Sequence, residues 1–146
     1  MQICFVCTGN TCRSPFAEKL FKKMLKENGL LGISVSSCGV NIVSGSKTSQ
    51  ETIDILKTYG INSKGKKAQK LTKTKLNSTH LFITMTKDLK VFVPAKNVYS
   101  LGELAGGEDV VDPYGGDFSS YEYMAKQICE YLKVLIYKIK NIKEMQ

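Results

Sequence analysis

The feature of this sequence that most constrains its fold is an apolar run near the start that ends in a polar, glycine-containing loop. Residues 3–7 are continuously apolar, as in a strand that is covered on both faces. The loop leads to Pro15, which suits the first turn of a helix, and Asn28-Gly29 ends the apolar periodicity of that helix. This β-loop-α unit indicates an α/β fold.

The alternation of short strands and helix-period segments continues along the chain. It predicts one domain over residues 1–146, an α/β three-layer sandwich with a central four-stranded parallel sheet flanked by helices. The remaining strands are predicted at Ile33–Ser37, Leu81–Met85 and around Val98-Tyr99. Helix starts are predicted at the capping boxes Thr48 with Glu51 and Ser119 with Glu122, and at Thr86 before a short helix.

Composition excludes several classes of protein. Hydrophobic residues make up 42% of the chain, which excludes disorder, yet no apolar run approaches the ~18 residues of a membrane span. We therefore expect no membrane partner. Five cysteines, an odd number, suit reduced thiols better than a disulfide framework, and no secretory leader opens the chain. These features predict a cytoplasmic protein.

The net charge of +8 comes almost entirely from lysine. No aromatic-interleaved basic motif accompanies the lysines, so nucleic acid is not expected as a partner. Whether the basic stretch between Lys64 and Lys75 forms a docking patch stays open. The only arginine is Arg13, in a chain that otherwise uses lysine, which indicates a site that needs a planar, bidentate donor.

Two distant loops are expected at the same edge of the sheet. Ligands of parallel sheets bind beyond the carboxyl ends of the strands, where the loops Cys7–Ser14 and Leu101–Phe118 meet. Backbone N–H groups at the first loop and the start of its helix form an anion cradle. These groups and Arg13 would stabilise the thiolate of Cys7, and Arg13 would hold two oxygens of a tetrahedral oxyanion.

The chain's inventory assigns proton transfer to a carboxylic acid. His80 is the only histidine, and the one Cys-x2-Cys pair, Cys4 with Cys7, falls in an apolar run that does not suggest zinc, so neither a histidine-based metal site nor a zinc site is expected. Asp112 is the candidate acid, because Pro113 restricts it to an extended conformation on the loop that faces the cradle.

Two segments carry a resemblance to a known family. Val6–Pro15, continuing to Ala17-Glu18, resembles the signature of the low-molecular-weight protein tyrosine phosphatases, and Asp112-Pro113-Tyr114-Gly115 resembles their distal acid motif. The resemblance covers essentially the whole chain. It implies a phosphate-binding loop after the first strand, no metal or cofactor, phosphorylated proteins as substrates, and two steps through a phosphocysteine intermediate.

The resemblance also implies roles for individual residues. Cys7 matches the nucleophile, Arg13 the phosphoryl clamp, and Asp112 the general acid that later acts as base. Asn10, Ser14 and Ser37 match residues that support the loop and the thiolate. The residues that match the phosphate-binding loop are Thr8, Gly9, Asn10, Thr11, Cys12, Arg13 and Ser14. Cys12 also matches a cysteine that forms a reversible disulfide with the nucleophile, although packing under the loop explains it nearly as well.

Substrate specificity is expected to depend on Thr8, Thr11 and Tyr114 at the rim. Most tyrosine-specific members of the family carry Ile where this chain has Thr11, whereas the bacterial protein arginine phosphatases, which this sequence resembles, carry Thr. Tyr114 matches an aromatic wall of the active-site crevice. Phosphotyrosine and phosphoarginine both stay open as substrates.

Two other functions are weaker alternatives. A thioredoxin-coupled arsenate reductase shares the loop but needs two further redox cysteines, and residues 80–95 contain none. A non-enzymatic phosphoprotein-binding module needs neither a thiol nor an acid, and this chain retains both.

Overall fold

The computed structural model describes residues 1–144, in which a four-stranded parallel sheet is covered by helices on both faces. The strands are β1 (Gln2–Cys7), β2 (Ser34–Gly39), β3 (Leu81–Thr84) and β4 (Val98–Ser100). The α-helices are α1 (Arg13–Glu27), α2 (Gln50–Thr58), α3 (Lys73–Ser78), α4 (Leu101–Ala105) and α5 (Phe118–Glu144), and Asp88–Phe92 forms a 3-10 helix. The sheet order is β2-β1-β3-β4. This architecture confirms the predicted fold class.

Strand β1 lies in the middle of the sheet and is buried on both faces. One face, which includes Phe5, packs against α1 and α5 in the larger apolar cluster, and the Phe5 ring meets the edge of Phe21 with centroids 5.6 Å apart. The other face, with Cys4 and Val6, packs in a smaller cluster with Phe82. Because both faces are covered, the end of β1 holds its loop in a fixed position.

Two predicted capping boxes are wrong. Helix α2 is capped by Ser49, whose hydroxyl accepts from the Thr52 amide at 3.2 Å, because the Thr48 hydroxyl instead accepts from the Lys66 amide at 3.1 Å. Helix α5 begins at Phe118, so Ser119 lies inside it.

The carboxylate of Asp117 accepts from the Ser120 amide at 3.1 Å, and the Ser119 hydroxyl donates to the same carboxylate. Asp117 thus takes the role predicted for Ser119, because it precedes the helix.

Three further details differ from the sequence-based expectations. Thr86 does not cap the 3-10 helix, because its hydroxyl donates to the Asp88 carboxylate and Lys87 precedes the helix. The segment expected as one loop after β4 begins with α4. Helix α3 was not predicted because none of its residues is buried, so it has no apolar periodicity. No helix among residues 1–144 is long and apolar enough to cross a membrane.

Candidate active site

The two predicted loops meet at the carboxyl edge of the sheet. Strand β1 ends at Cys7 and α1 begins at Arg13, so five residues form the turn between them. Asn10, in that turn, has φ of 54°, the only positive φ of a non-glycine residue among those described. Asparagine tolerates this left-handed conformation better than most residues. This conformation lets the chain turn between β1 and α1 within five residues.

The Cys7 thiol lies at the bottom of this turn, buried and held by two polar groups. The Asn10 amide donates to Cys7 Sγ at 3.2 Å, and Ser14 Oγ lies 2.8 Å from the same sulfur. Since the Asn10 side-chain amide donates to Ser14 Oγ at 2.8 Å, the Ser14 proton is free to point at the sulfur. Both groups can therefore donate to Sγ, an arrangement that suits a thiolate at this position.

A chain of hydrogen bonds continues from Asn10 into the core. The Asn10 side-chain amide also donates to Ser37 Oγ at 3.0 Å, and the Ser37 hydroxyl donates to Glu18 Oε1 at 2.6 Å. The Asn10 side-chain carbonyl accepts from the Gln69 amide at 2.8 Å. Every polar atom of the Asn10 side chain is thus paired, and this fixes the turn around Cys7.

Glu18 is the charged end of that chain and was given no role by sequence reasoning. Its side chain is 4% exposed and accepts from Lys22 at 2.8 Å and Lys66 at 2.6 Å. Burial alone would raise the pKa of Glu18, but hydrogen bonds from Lys22, Lys66 and Ser37 outweigh burial and lower its pKa. A carboxylate is therefore available to orient Ser37.

A glycine permits the close approach of β2 to this turn. A Cβ atom on Gly39 would lie 2.6 Å from the Thr8 carbonyl oxygen and 3.1 Å from the Asn10 amide nitrogen. Real Cβ atoms are not found at the first distance, so a side chain here would displace the turn. Gly39 is a residue whose role the sequence did not reveal.

Arg13, the first residue of α1, reaches across the mouth of the turn. It is 6% exposed, and its Nη1 donates to the Val110 carbonyl at 3.4 Å while Nη2 lies 3.7 Å from Asp112 Oδ2. The loop after β4 thus holds the guanidinium from the far side. The long bonds leave donors of the guanidinium available to an oxyanion.

Asp112 lies opposite Arg13 with an exposed carboxylate. Its Oδ1 accepts from the Tyr114 amide at 3.0 Å, Pro113 between them is buried, and the side chain is 58% exposed. Upstream, Gly102 in α4 packs so tightly that a Cβ atom there would lie 2.5 Å from the Glu108 carbonyl oxygen. This packing fixes the start of the loop that presents Asp112.

Cys7, Arg13 and Asp112 line one open pocket of about 430 Å³. Each residue predicted to define specificity, Thr8, Thr11 and Tyr114, lies in its wall, as do Gly9 and Cys12. Asn10, Ser14 and Ser37 lie behind the wall as supports. Val43 and Ser46 also line the pocket and were not predicted, because nothing in the local pattern of their loop shows that it folds back over the turn.

The Cys12 thiol is buried beside the pocket, with its sulfur 3.5 Å from Ser49 Oγ and 3.6 Å from the Tyr121 hydroxyl. Burial and the hydrogen bond with Cys12 raise the pKa of Tyr121. All five cysteines are free thiols, and Cys4 and Cys38 form a separate buried pair with sulfurs 3.5 Å apart.

The single histidine has a structural contact rather than a place in the pocket. His80 Nδ1 accepts from the Gln2 amide at 2.9 Å, at the opposite edge of the sheet. Among residues 1–144, no group of three or more His, Cys, Asp or Glu side chains is arranged to hold a metal ion.

Comparison with protein families identifies one match over nearly the whole chain. The model for low molecular weight phosphotyrosine protein phosphatase matches residues 2–145. A protein-arginine-phosphatase of Bacillus subtilis is 33% identical, over 97% of this chain and 98% of its own length. The low molecular weight protein-tyrosine-phosphatase PtpB of Staphylococcus haemolyticus is 34% identical, over 97% of this chain and 99% of its own length.

Comparison with solved structures gives the same result. A cysteine-to-serine mutant of the arginine phosphatase YwlE, with a phosphorylated active-site serine, superimposes with a TM-score of 0.89. It is 31% identical to this chain, and the match covers 100% of both.

Proposed function

Because the chain belongs to the low molecular weight phosphotyrosine protein phosphatase family, we propose that its pocket hydrolyses phosphorylated proteins through Cys7, Arg13 and Asp112. The chain is a protein phosphatase; the residue roles are the proposal. The observation that carries it is the convergence of a buried thiol, the sole arginine and an exposed carboxyl on one pocket. These are the nucleophile, the oxyanion clamp and the proton donor that the reaction needs.

In the first step, Cys7 Sγ attacks the phosphorus of the bound phosphoryl group. The bond from phosphorus to the leaving atom of the substrate breaks, and the protonated Asp112 carboxyl donates its proton to that atom. Hydrogen bonds from Asn10 and Ser14 hold the thiolate before attack. Arg13 and the loop amides bind the equatorial oxygens, whose positions they are preorganised to meet.

In the second step, the phosphocysteine is hydrolysed. The Asp112 carboxylate, now deprotonated, takes a proton from a water molecule as its oxygen attacks phosphorus. The bond from phosphorus to Cys7 Sγ breaks, which releases inorganic phosphate and restores the thiolate. The 58% exposure of the Asp112 side chain gives water direct access to it.

The preferred substrate that we propose is phosphoarginine, with phosphotyrosine as the second candidate. Relatives with either name are about equally similar to this chain, at 33% and 34% identity. Thr11 in the pocket wall favours phosphoarginine, because threonine leaves more space than isoleucine and offers a hydroxyl to a guanidinium nitrogen. Asp112 lies in the same pocket, where it can interact with a guanidinium before it donates its proton.

The test is turnover of phosphoarginine and phosphotyrosine peptides measured side by side, with and without a metal chelator. We expect both activities to survive chelation and the Cys7→Ser protein to be inactive. Unchanged activity of Cys7→Ser, or loss of activity on chelation, would overturn the mechanism. Hydrolysis of phosphotyrosine alone would overturn only the substrate preference.

The two alternatives receive no support. Residues 80–95 contain no cysteine for an arsenate reductase relay. A binding module has no use for the thiol and the carboxyl that converge on this pocket. That function would be favoured if the wild-type protein showed no turnover and the Cys7→Ser protein bound a phosphopeptide as tightly as wild type.

We also propose that Cys12 protects Cys7 by forming a reversible disulfide, and that the protein is cytoplasmic. Cys12 lies in the wall of the same pocket, and all five thiols are free, as suits a reducing compartment. We expect mild peroxide treatment to inactivate both proteins, and a thiol reductant to restore the activity of wild type but not of Cys12→Ser.

A further inference from the structure

A ribbon of two antiparallel segments beside the catalytic pocket carries a pair of opposed lysines. Lys47 and Lys67 face each other in an isolated antiparallel bridge. The amides of Thr48 and Ala68 donate across the ribbon on either side of this pair, each at 2.9 Å. Lys47 and Lys67 are therefore a non-hydrogen-bonded pair, the type in which opposed side chains lie closest and share one face. We call these two residues the lysine ridge.

The protein itself does not neutralise the lysine ridge. Both residues are exposed, and within residues 1–144 neither ammonium forms a salt bridge. Like charges directly opposite each other destabilise a ribbon. Other lysines of the fold are paired, such as Lys66 with Glu18 and Lys90 with Glu103. The distinguishing feature of the ridge is that its two lysines oppose each other, so an external anion that binds between them would relieve their repulsion.

Hydrogen bonds fix the ribbon to the catalytic turn. The Ser49 amide donates to the Thr11 carbonyl at 3.0 Å, and the Gln69 amide donates to the Asn10 side chain at 2.8 Å. Each segment is thus tied to the turn two residues after its ridge lysine. Lys47 also lines a second depression of about 470 Å³, which shares Thr11 with the catalytic pocket.

The wall of the catalytic pocket includes one carboxylate, that of Asp112. The loop after α4 presents exposed carboxylates, which are Glu108, Asp109, Asp112 and Asp117. Tyr114, 83% exposed, contributes to both depressions. A protein segment that occupies both depressions therefore meets the Asp112 carboxylate in the first and the Lys47 ammonium in the second.

We propose that the lysine ridge docks acidic side chains that flank the phosphorylated residue of a protein substrate. The inference rests on the proposed function and adds the sequence context of its substrates. The second depression shares Thr11, Cys12 and Tyr114 with the catalytic pocket, so it adjoins the place where the residues next to the phosphorylated one would lie. Glu51 lines the same depression, and its negative charge disfavours acidic side chains there. Substitution of Glu51 is therefore a second test of the proposal.

The test uses phosphotyrosine and phosphoarginine peptides with three Glu, three Gln or three Lys residues on either side of the phosphorylated one. For each peptide, kcat/KM is divided by the value for p-nitrophenyl phosphate with the same variant, which removes changes at the catalytic centre. In wild type, we expect Glu-flanked peptides to exceed Gln-flanked ones about threefold to tenfold, mainly through KM. The preference should shrink in 0.5 M NaCl, since salt screens exposed charges.

The double variant Lys47→Glu/Lys67→Glu should abolish or invert the preference, and Glu51→Gln should increase it. The matched control is Lys96→Glu/Lys140→Glu, which changes the net charge equally. Lys96 precedes β4 at the far edge of the sheet and Lys140 lies near the end of α5, so this control should keep the wild-type preference. Equal loss in the control would assign the effect to net charge and overturn the proposal, as would an unchanged preference in the ridge variant.

Two more measurements keep the outcome interpretable. Affinity of the same peptides, fluorescently labelled, for the Cys7→Ser protein reports docking without turnover. If the wild-type protein hydrolysed no phosphate ester, the proposed function would be refuted, but these affinities would still test the docking proposal. Lys47→Gln should raise the melting temperature slightly, because it relieves the opposed charges. Tighter binding of single-stranded RNA than of the Glu-rich peptides would overturn the assignment to protein substrates.

Discussion

At the scale of the residue, Arg13 is oriented by contacts that leave part of its guanidinium unpaired. Its guanidinium is buried and rests against the Val110 carbonyl and the Asp112 carboxylate through long contacts of 3.4 and 3.7 Å. Such contacts orient the guanidinium and leave its N–H donors that face the pocket free to bind an anion. A planar fork can then bind two phosphoryl oxygens at once, which a single ammonium cannot do.

Arg13→Lys should therefore be severely impaired although it keeps the charge. We expect kcat/KM for any phosphate ester to fall roughly 100-fold to 1,000-fold, the range for loss of a preorganised oxyanion donor. Steady-state kinetics with p-nitrophenyl phosphate measure this effect. Lys23→Arg, at a partly exposed position of α1 away from the pocket, is the control and should be near normal. Near-wild-type turnover of Arg13→Lys would show that charge alone suffices.

Thr11→Ile should shift specificity from phosphoarginine toward phosphotyrosine. The side chain lies in the pocket wall, so added apolar bulk disfavours the guanidinium and offers a contact to an aromatic ring. We expect the ratio of kcat/KM values for the two substrates to change roughly 10-fold to 200-fold, the range for a steric difference of this size. Thr8→Val, which changes another residue of the pocket wall, tests whether the change in this ratio is specific to position 11. A ratio that Thr11→Ile leaves unmoved would refute the arginine preference.

At the scale of the element, α1 contributes more than its first turn. The same helix places Arg13 at the pocket and, one and a half turns later, buries Glu18 against β2. Glu18 orients Ser37, which orients Asn10, which in turn holds the turn that carries Cys7. The packing of α1 on β2 is thereby coupled to the geometry of the nucleophile.

Glu18→Gln should destabilise the protein by about 1–3 kcal/mol at pH 7, the range for hydrogen bonds to a buried charged group. Because the folded pKa of Glu18 is lowered, its contribution is complete above the unfolded pKa of about 4.3 and is lost as pH falls through the lower folded value. Urea denaturation of wild type and variant at pH 7 and at pH 3 measures the difference, which should shrink at pH 3.

Glu27→Gln, an exposed substitution at the end of the same helix, is the control for that experiment and should leave the free energy of unfolding within about 0.5 kcal/mol of wild type. A difference between wild type and Glu18→Gln that grows in acid would contradict the assigned direction of the pKa shift.

At the scale of the whole molecule, the site joins segments about a hundred residues apart. We expect a bound oxyanion to contact the turn after β1 and, through Arg13, the loop after α4, so that it would bind only the folded chain. Inorganic phosphate at ten times its dissociation constant should therefore stabilise the fold by about 1.4 kcal/mol. For a chain of this size, we expect the melting temperature to rise by roughly 4–6 °C.

Thermal denaturation in phosphate and in chloride of equal ionic strength measures that rise. Arg13→Ala should remove most of it, whereas Lys140→Ala, remote from the pocket, should retain it. An equal rise in both variants would indicate a general salt effect rather than binding in the pocket.

The sequence alone determined the fold class and predicted that Cys7, Arg13 and Asp112 meet in one pocket, although it did not reveal Val43 and Ser46 in the same wall. A continuous apolar run, a glycine-containing turn and a helix start are local signals, and they define β1, the turn and α1. Parallel topology then requires that Cys7 and Asp112 share one edge of the sheet. The observed Arg13 to Asp112 distance of 3.7 Å agrees with that expectation.

Only the tertiary structure decided the supporting contacts, because they join side chains whose neighbours in sequence carry no signal of the pairing. Thr48 has the sequence of a helix cap, yet a ribbon partner takes its hydroxyl and Ser49 caps α2 instead. Glu18 acquired its role through burial against Ser37, and the lysine ridge exists only because residues 47 and 67 pair across the ribbon. Local propensity is weak compared with the hydrogen bonds and burial that long-range packing supplies, so those contacts could not be predicted from the pattern.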